Sequence, residues 1–336
     1  MKKSLIALAV LGTFAGGVAA QSSMTISGLL DVSLIHTSTT PAPAQAWKVA
    51  AGNNNRLIFS GVEDLGGGNT ATFGLQHRFE PNSGMLEKAG ARPFWQGESR
   101  VGLRSNDWGW LRIGRGLTPV QEPNGKFEPF GVATVAHTQD YLTAYYKAVD
   151  DTTKALNAAG VSDAFVGGEG RWDGAVFYET PNWSGLAVRG AIQKSDRDEP
   201  SQPVSASLTY DQGPTSAMVG VERNNRGTRN IQIAGLHNFG PVKVMGSWAV
   251  NDPVGALKIT GMGAGLHVPV GDFLIRAGLA QAKSNGAGTV SAKKMGLGGL
   301  YNLSPRTSVY SDIARSNGLL SRTNTTAMDL GIASKF

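Results

Sequence analysis

Cysteine is absent from this 336-residue chain, which excludes disulfide staples, thiol nucleophiles and cysteine-bound zinc. Catalytic signatures are missing as well. There is no Gly-x-Ser-x-Gly elbow and no His-Glu-x-x-His pair, and the five histidines are scattered. The Gly-x-Gly runs at Gly261 to Gly265 and Gly296 to Gly299 precede no helical pattern, so they form no phosphate loop. Glycine there is expected to allow barrel curvature or close packing between subunits. Beyond the first twenty residues no apolar run is long enough for a membrane helix. The charge is mild, 31 basic against 25 acidic residues, without the basic stripe that would point to nucleic acid. Neither a cofactor nor a metal is expected.

The chain begins with Lys2 and Lys3, an apolar run from Leu5 to Val18, and the small residues Val18-Ala19-Ala20. That is the layout of a secretory signal peptide over residues 1–20. Without Lys2 and Lys3 the net charge falls from +6 to +4. An exported protein with a mean hydropathy of −0.14 can still cross a membrane, as a barrel whose strands carry one wet and one oily face.

Residues 21–336 read as strands of period two, in which successive side chains point to opposite sides. Thr25 to Ser33 sets Ile26, Gly28, Leu30 and Val32 against Thr25, Ser27 and Asp31, and Val204 to Tyr210 alternates in the same way. Lys258 to Val268 is too rich in glycine for its faces to be assigned. Seven short turns, from Gly66–Asn69 to Ser304–Arg306, alternate with eight longer connections, among them Thr37 to Asn55 and Pro81 to Gly97. Such a count requires sixteen strands with both termini at one rim. The predicted fold class is therefore all-β, a 16-stranded antiparallel transmembrane β-barrel. Trp108, Trp110, Trp183, Tyr178, Tyr210 and Phe273 lie at or near strand ends, as in an aromatic girdle, although aromatics also cap strands in other β-proteins.

The beat stops between Arg115 and Gly170. A long connection inside a tight β-domain is functional or disordered. The functional reading is a long third external loop folded inward to narrow a water-filled pore, with a short helix expected from Thr138 onward. Apolar faces turned to lipid would put Arg56, Arg78, Arg100, Arg104, Arg112, Arg171, Arg189 and Arg276 into the lumen. Glu122, Glu128 and Asp140 on the loop are the expected counter-charges, and such an arrangement would set up a transverse field. Pairing of the arginines with Asp31, Asp312 or Asp329 remains the alternative.

The strand Thr325 to Phe336 ends on a terminal phenylalanine. It joins V-E-D-L-G-G-G at Val62 to Gly68, S-R-V-G-L at Ser99 to Leu103, L-R-I-G-R at Leu111 to Arg115 and E-P-F-G at Glu128 to Gly131. Together these resemble the general porins of Gram-negative bacteria, in particular the β-proteobacterial type, over the whole of residues 21–336. The resemblance implies residence in the outer membrane among lipid and lipopolysaccharide, a homotrimer, and an arginine cluster at the constriction. Arg56, Arg100 and Arg171 match that cluster best by motif position. It also implies that Phe336 acts as an assembly signal. The expected function is passive diffusion of small hydrophilic solutes and ions, with a leaning to anions. A solute-specific channel remains an alternative, and a barrel hydrolase a more distant one.

Overall fold

The computed structural model describes residues 22–40, 46–87, 93–131, 133–139, 170–194, 201–225, 227–252, 258–284, 291–317 and 324–336. The signal peptide, Asp140 and most of the expected helix lie outside the described residues. The strands are β1 Ser23–Thr40, β2 Ala46–Ala51, β3 Arg56–Gly66, β4 Asn69–Arg78, β5 Glu98–Ser105 and β6 Gly109–Leu117. After the long connection come β7 Arg171–Glu179, β8 Leu186–Gln193, β9 Val204–Gln212, β10 Thr215–Arg223, β11 Arg229–Asn238 and β12 Lys243–Asp252. The last five are β13 Ile259–Val270, β14 Phe273–Ser284, β15 Ser291–Asn302, β16 Thr307–Asn317 and β17 Asn324–Lys335.

All neighbours are antiparallel, and β1 closes the sheet onto β17. Residues Ser23 to Leu29 of β1 pair with β3, and Val32 to Thr37 pair with β2. Strands β2 and β3 are thus the upper and lower parts of one wall position, and the barrel has sixteen. Closure leaves no open edge, so every backbone amide in the oily layer has a partner within the wall. Phe336 extends the seam: Gly28 N donates to Phe336 O at 2.9 Å and Phe336 N to Gly28 O at 3.2 Å.

Burial follows the alternation. Val204 and Leu208 face outward while Ser205, Ser207 and Thr209 are buried inside, and Met328, Leu330 and Ile332 look outward from β17. In β13 the outward side chains are Met262 and Leu266, and the inward positions include Gly261 and Gly265. The short turns fall where expected. At Gly66, Gly67 and Gly68 all three φ values are positive, and Asp64 Oδ1 accepts the Gly66 N–H at 2.8 Å. Only glycine takes three such conformations in a row without strain.

One connection differs from expectation. Thr37 to Asn55 is not a single loop, because β1 continues to Thr40 and β2 pairs back along it. Polar side chains occupy both faces of Thr37 to Thr40, so no apolar period marks this strand, yet threonine favours extended pairing. Thr39 and Thr325 hydroxyls meet across the seam at 3.4 Å.

Candidate functional site

Side chains directly opposite each other in antiparallel strands share a face. Arg56 opposes Arg78, Gly74 opposes Arg100, Thr70 opposes Arg104, Gly102 opposes Arg112, and Glu179 opposes Arg189. Six arginines therefore line the inner face from β3 to β8. Glutamates separate several of them. Arg112 donates to Glu122 Oε1 at 3.0 Å and Oε2 at 3.4 Å, lies 3.6 Å from Glu179, and stacks 4.1 Å from the Trp110 ring centre. Arg189 grips Glu179 with two bonds of 3.1 Å and gives a third, of 2.8 Å, to Thr209. Arg100 donates to Glu98 at 2.8 Å and sits 3.8 Å from Glu122. Arg56 makes no ion pair among the described residues and donates to the Asn54 carbonyl at 3.1 Å. Arg104 is exposed and stands over Trp110 at 5.6 Å.

Arg171 departs from the expected row. Between β6 and β7 the register shifts at Gly114/Gly116, leaving Asp173 and Gly174 as a bulge, with Gly174 at φ +54. The extra residue reverses the parity below Ala175. Trp172 turns inward to pack with Ala175, Phe177 and Ala191. Arg171 takes the opposite face and donates to the Gly97 carbonyl at 2.9 Å. Arg115 donates to Gln96 O at 3.0 Å and to Asp173 at 2.6 Å.

The described residues of the long connection after β6, 118–131 and 133–139, run along the inside of the opposite wall. Pro119 O accepts from Ser207 at 2.8 Å, Asn124 donates to Gln232 at 3.2 Å, and Lys126 pairs with Asp211. Phe127 enters a pocket of Met218, Ala234 and Leu236. The next residues lie in a trough made by glycine. Gly265, Gly278 and Gly296 stand side by side on β13, β14 and β15. A Cβ at Gly265 or Gly278 would come within 2.6 or 2.8 Å of Pro129, and one at Gly296 within 2.8 Å of Ala136. Phe130 completes the seat against Ala136 and Ala314, and His267 Nε2 donates to the Pro129 carbonyl at 2.6 Å. Thr134 N then reaches Gly52 O at 2.8 Å and Val135 N reaches Asp329 at 3.0 Å.

The profile of Gram-negative porins matches residues 7–318. The chain belongs to that family. Its relatives include outer membrane porin protein 32 of Delftia acidovorans, 26% identical over 94% of this chain and 89% of that one. A Bordetella pertussis outer membrane porin protein is 23% identical over the full length of both. Among solved structures, the anion-selective porin from Comamonas acidovorans superposes with a TM-score of 0.78, at 22% identity over 94% of this chain and all of that one. The trimer form of OmpT from Vibrio cholerae superposes with a TM-score of 0.66, at 11% identity over 94% and 99%. The protein is an outer-membrane porin.

Within the porin, the loop carboxylates behave differently from one another. Glu128 is buried and does not face the channel. Its Oε1 accepts from Thr138 N at 2.8 Å and Thr138 Oγ1 at 2.9 Å, and its Oε2 accepts from Phe130 N at 2.8 Å. The carboxylate is a staple that closes the loop tip, because three donors converge on it. Glu128→Gln places an amide donor among those donors and is expected to cost the loop about 1–3 kcal/mol. Faster tryptic cleavage at Lys126 in the folded variant is the measurement, and wild-type protection would remove the staple from the account.

Glu122 is held on the arginine wall itself. Burial pushes its carboxyl up, but the charges of Arg112, Arg100 and Arg189 and the Arg112 hydrogen bond outweigh that and hold it below its ordinary value of 4.5. A depressed carboxyl stabilises the fold above its unfolded pKa and loses that contribution as pH falls through the folded one. The loop root is therefore expected to stay docked at pH 4.5 and to loosen only in stronger acid. Conductance recorded on descending pH should show an acid step in wild type below that point, and Glu122→Gln should abolish it.

The glycine trough was visible in the sequence as Gly-x-Gly runs, but it seats the loop, which neither curvature nor subunit packing describes. The alternative pairing is realised at one arginine, since Arg276 clasps Asp312 with two contacts of 2.9 Å, while Asp31 accepts from the Tyr310 hydroxyl at 2.6 Å, a partner the sequence did not suggest. With Asp329 these carboxylates stand behind the far end of the loop.

Proposed function

We propose that this porin is a general-diffusion channel that favours anions, with Arg56, Arg100, Arg104 and Arg112 forming the selective wall. The observation that carries this reading is the fate of the loop carboxylates: Glu128 is buried within the loop and Glu122 lies on Arg112. The described part of the loop then offers Lys126 as its exposed charged side chain. A path with arginines along one side and, among the described loop residues, no carboxylate left free of a partner lowers the barrier for anions. The similar fold of the anion-selective porin from Comamonas acidovorans agrees with this. Inward faces rich in serine, threonine and glycine favour general passage over one solute, and the family's channel character argues against catalysis.

The test is the zero-current potential in a salt gradient. Wild type should lie on the anion side, and combined Arg56→Gln, Arg100→Gln and Arg104→Gln should move it toward cations. The shift should grow at low salt, because screening at 0.1 M already acts over about 10 Å. A cation-selective wild type, or a triple variant with no shift, refutes the wall. Saturation by one solute at low concentration would favour a specific channel.

The same reading includes a homotrimer. An apolar groove of about 680 Å³ on the outer side of β3 to β6, lined by Met24, Phe73, Val101, Leu103 and Ile113, suits contact with a second copy, as does the trimer form of a protein of like fold. Phe336 at the closing seam fits a role in assembly.

A further inference from the structure

We infer that Asp211 is a specificity-determining residue of the channel: it holds and neutralises the ammonium of Lys126, so that this point on the loop side of the lumen carries no net charge. The inference rests on the anion-favouring reading above and extends it to a pair of side chains away from the arginines. Asp211 stands on the inward face of β9, in step with the buried Ser205, Ser207 and Thr209, and directly across from Ser216 of β10. Its Oδ1 takes the Lys126 ammonium and also accepts from Ser216 Oγ at 2.5 Å, which aims the carboxylate at the loop. Both partners stay wet, with side chains 43% and 49% exposed.

Position and charge are separable at this pair. The turn Asn124–Phe127 that carries Lys126 is fixed on both sides by contacts that do not involve it. Asn124 donates to Gln232 at 3.2 Å, and Phe127 is buried against Met218 and Ala234. An exposed ion pair adds little to such an anchorage. What the pair controls is where a positive charge sits. The ammonium of a lysine rides on a flexible four-carbon stem, so without Asp211 it is free to swing from β9 into the lumen. The short side chain of Asp211, by contrast, stays on the wall when Lys126 is removed. Glu179 on the same stretch of wall is already gripped by Arg189 and is no substitute partner for the lysine.

The test is a double-mutant cycle on the zero-current potential of the folded protein in planar bilayers at low salt. D211N should raise the anion-to-cation permeability ratio about sevenfold, since a unit charge brought to roughly 7 Å from the ions in water shifts the energy of each by about RT, with opposite signs. K126Q should lower the ratio about twofold, because the bare carboxylate stays on the wall, farther away and screened. D211N/K126Q should return the ratio to near wild type, so that the two single shifts do not sum to that of the double. Trypsin separates charge from position: Lys126 in D211N should stay as protected as in wild type. Single shifts that sum to the double, or a D211N variant with an unchanged ratio, overturn the inference. Rapid cleavage of D211N at Lys126 overturns it as well, because Asp211 would then be a latch for the loop. A wild type that prefers cations would remove the reading of the arginine wall instead, while the cycle, measured as changes from wild type, still decides the pair.

Discussion

Replacing Gly278 and Gly296 together by valine is expected to cut single-channel conductance by roughly half, because the inward loop is pushed from its trough into the water path. Valine suits a strand, so the wall itself should tolerate it. The loop cannot. A Cβ at Gly278 meets Pro129 at 2.8 Å, Phe130 at 3.0 Å and Thr138 at 3.2 Å, and one at Gly296 meets Ala136 at 2.8 Å. Two further methyl groups on each valine must displace the loop, at a cost of about 1–3 kcal/mol per site. Tryptic cleavage at Lys126 should accelerate as the loop lifts. Phe130→Ala in the same background makes room and should restore part of the conductance, which separates loop displacement from general damage to the barrel. Wild-type conductance with wild-type protection would mean that the trough does not position the loop.

The second large effect is expected at Arg112. Its guanidinium is buried between Glu122 and Glu179, and removing one partner of a buried ionic group leaves uncompensated charge, at about 3–5 kcal/mol. Arg112→Gln should therefore do two things at once: move the zero-current potential toward cations, and free the loop root so that open-channel noise rises. Arg112→Gln combined with Glu122→Gln restores the charge sum. That double variant should return the potential to near wild type. Were it as shifted as the single variant, the Glu122–Arg112 pair would not be the unit that sets the local field.

Much of the wall was legible in the residues alone. Period-two alternation follows from strand geometry, and lipid on one side converts it into an apolar outer face, so the inward placement of Arg56, Arg100, Arg104 and Arg112 could be read from parity. Turn glycines, as in V-E-D-L-G-G-G, marked the short connections because their conformations are local. Tertiary structure decided whatever depends on partners distant in the chain. A single bulge at Asp173–Gly174 reversed the parity of Arg171, and no periodic pattern announces where one residue drops out of a ladder. Strand β2 was hidden because it is only six residues long and pairs with the polar extension of β1, in which Thr37 to Thr40 show no apolar period. Glu128 became a staple and Glu122 part of the wall because a carboxylate settles on whichever donors folding brings within reach. The glycine runs acquired their purpose only when Pro129, Phe130 and Ala136 arrived from across the lumen, since the absence of a side chain has meaning only beside what fills the space.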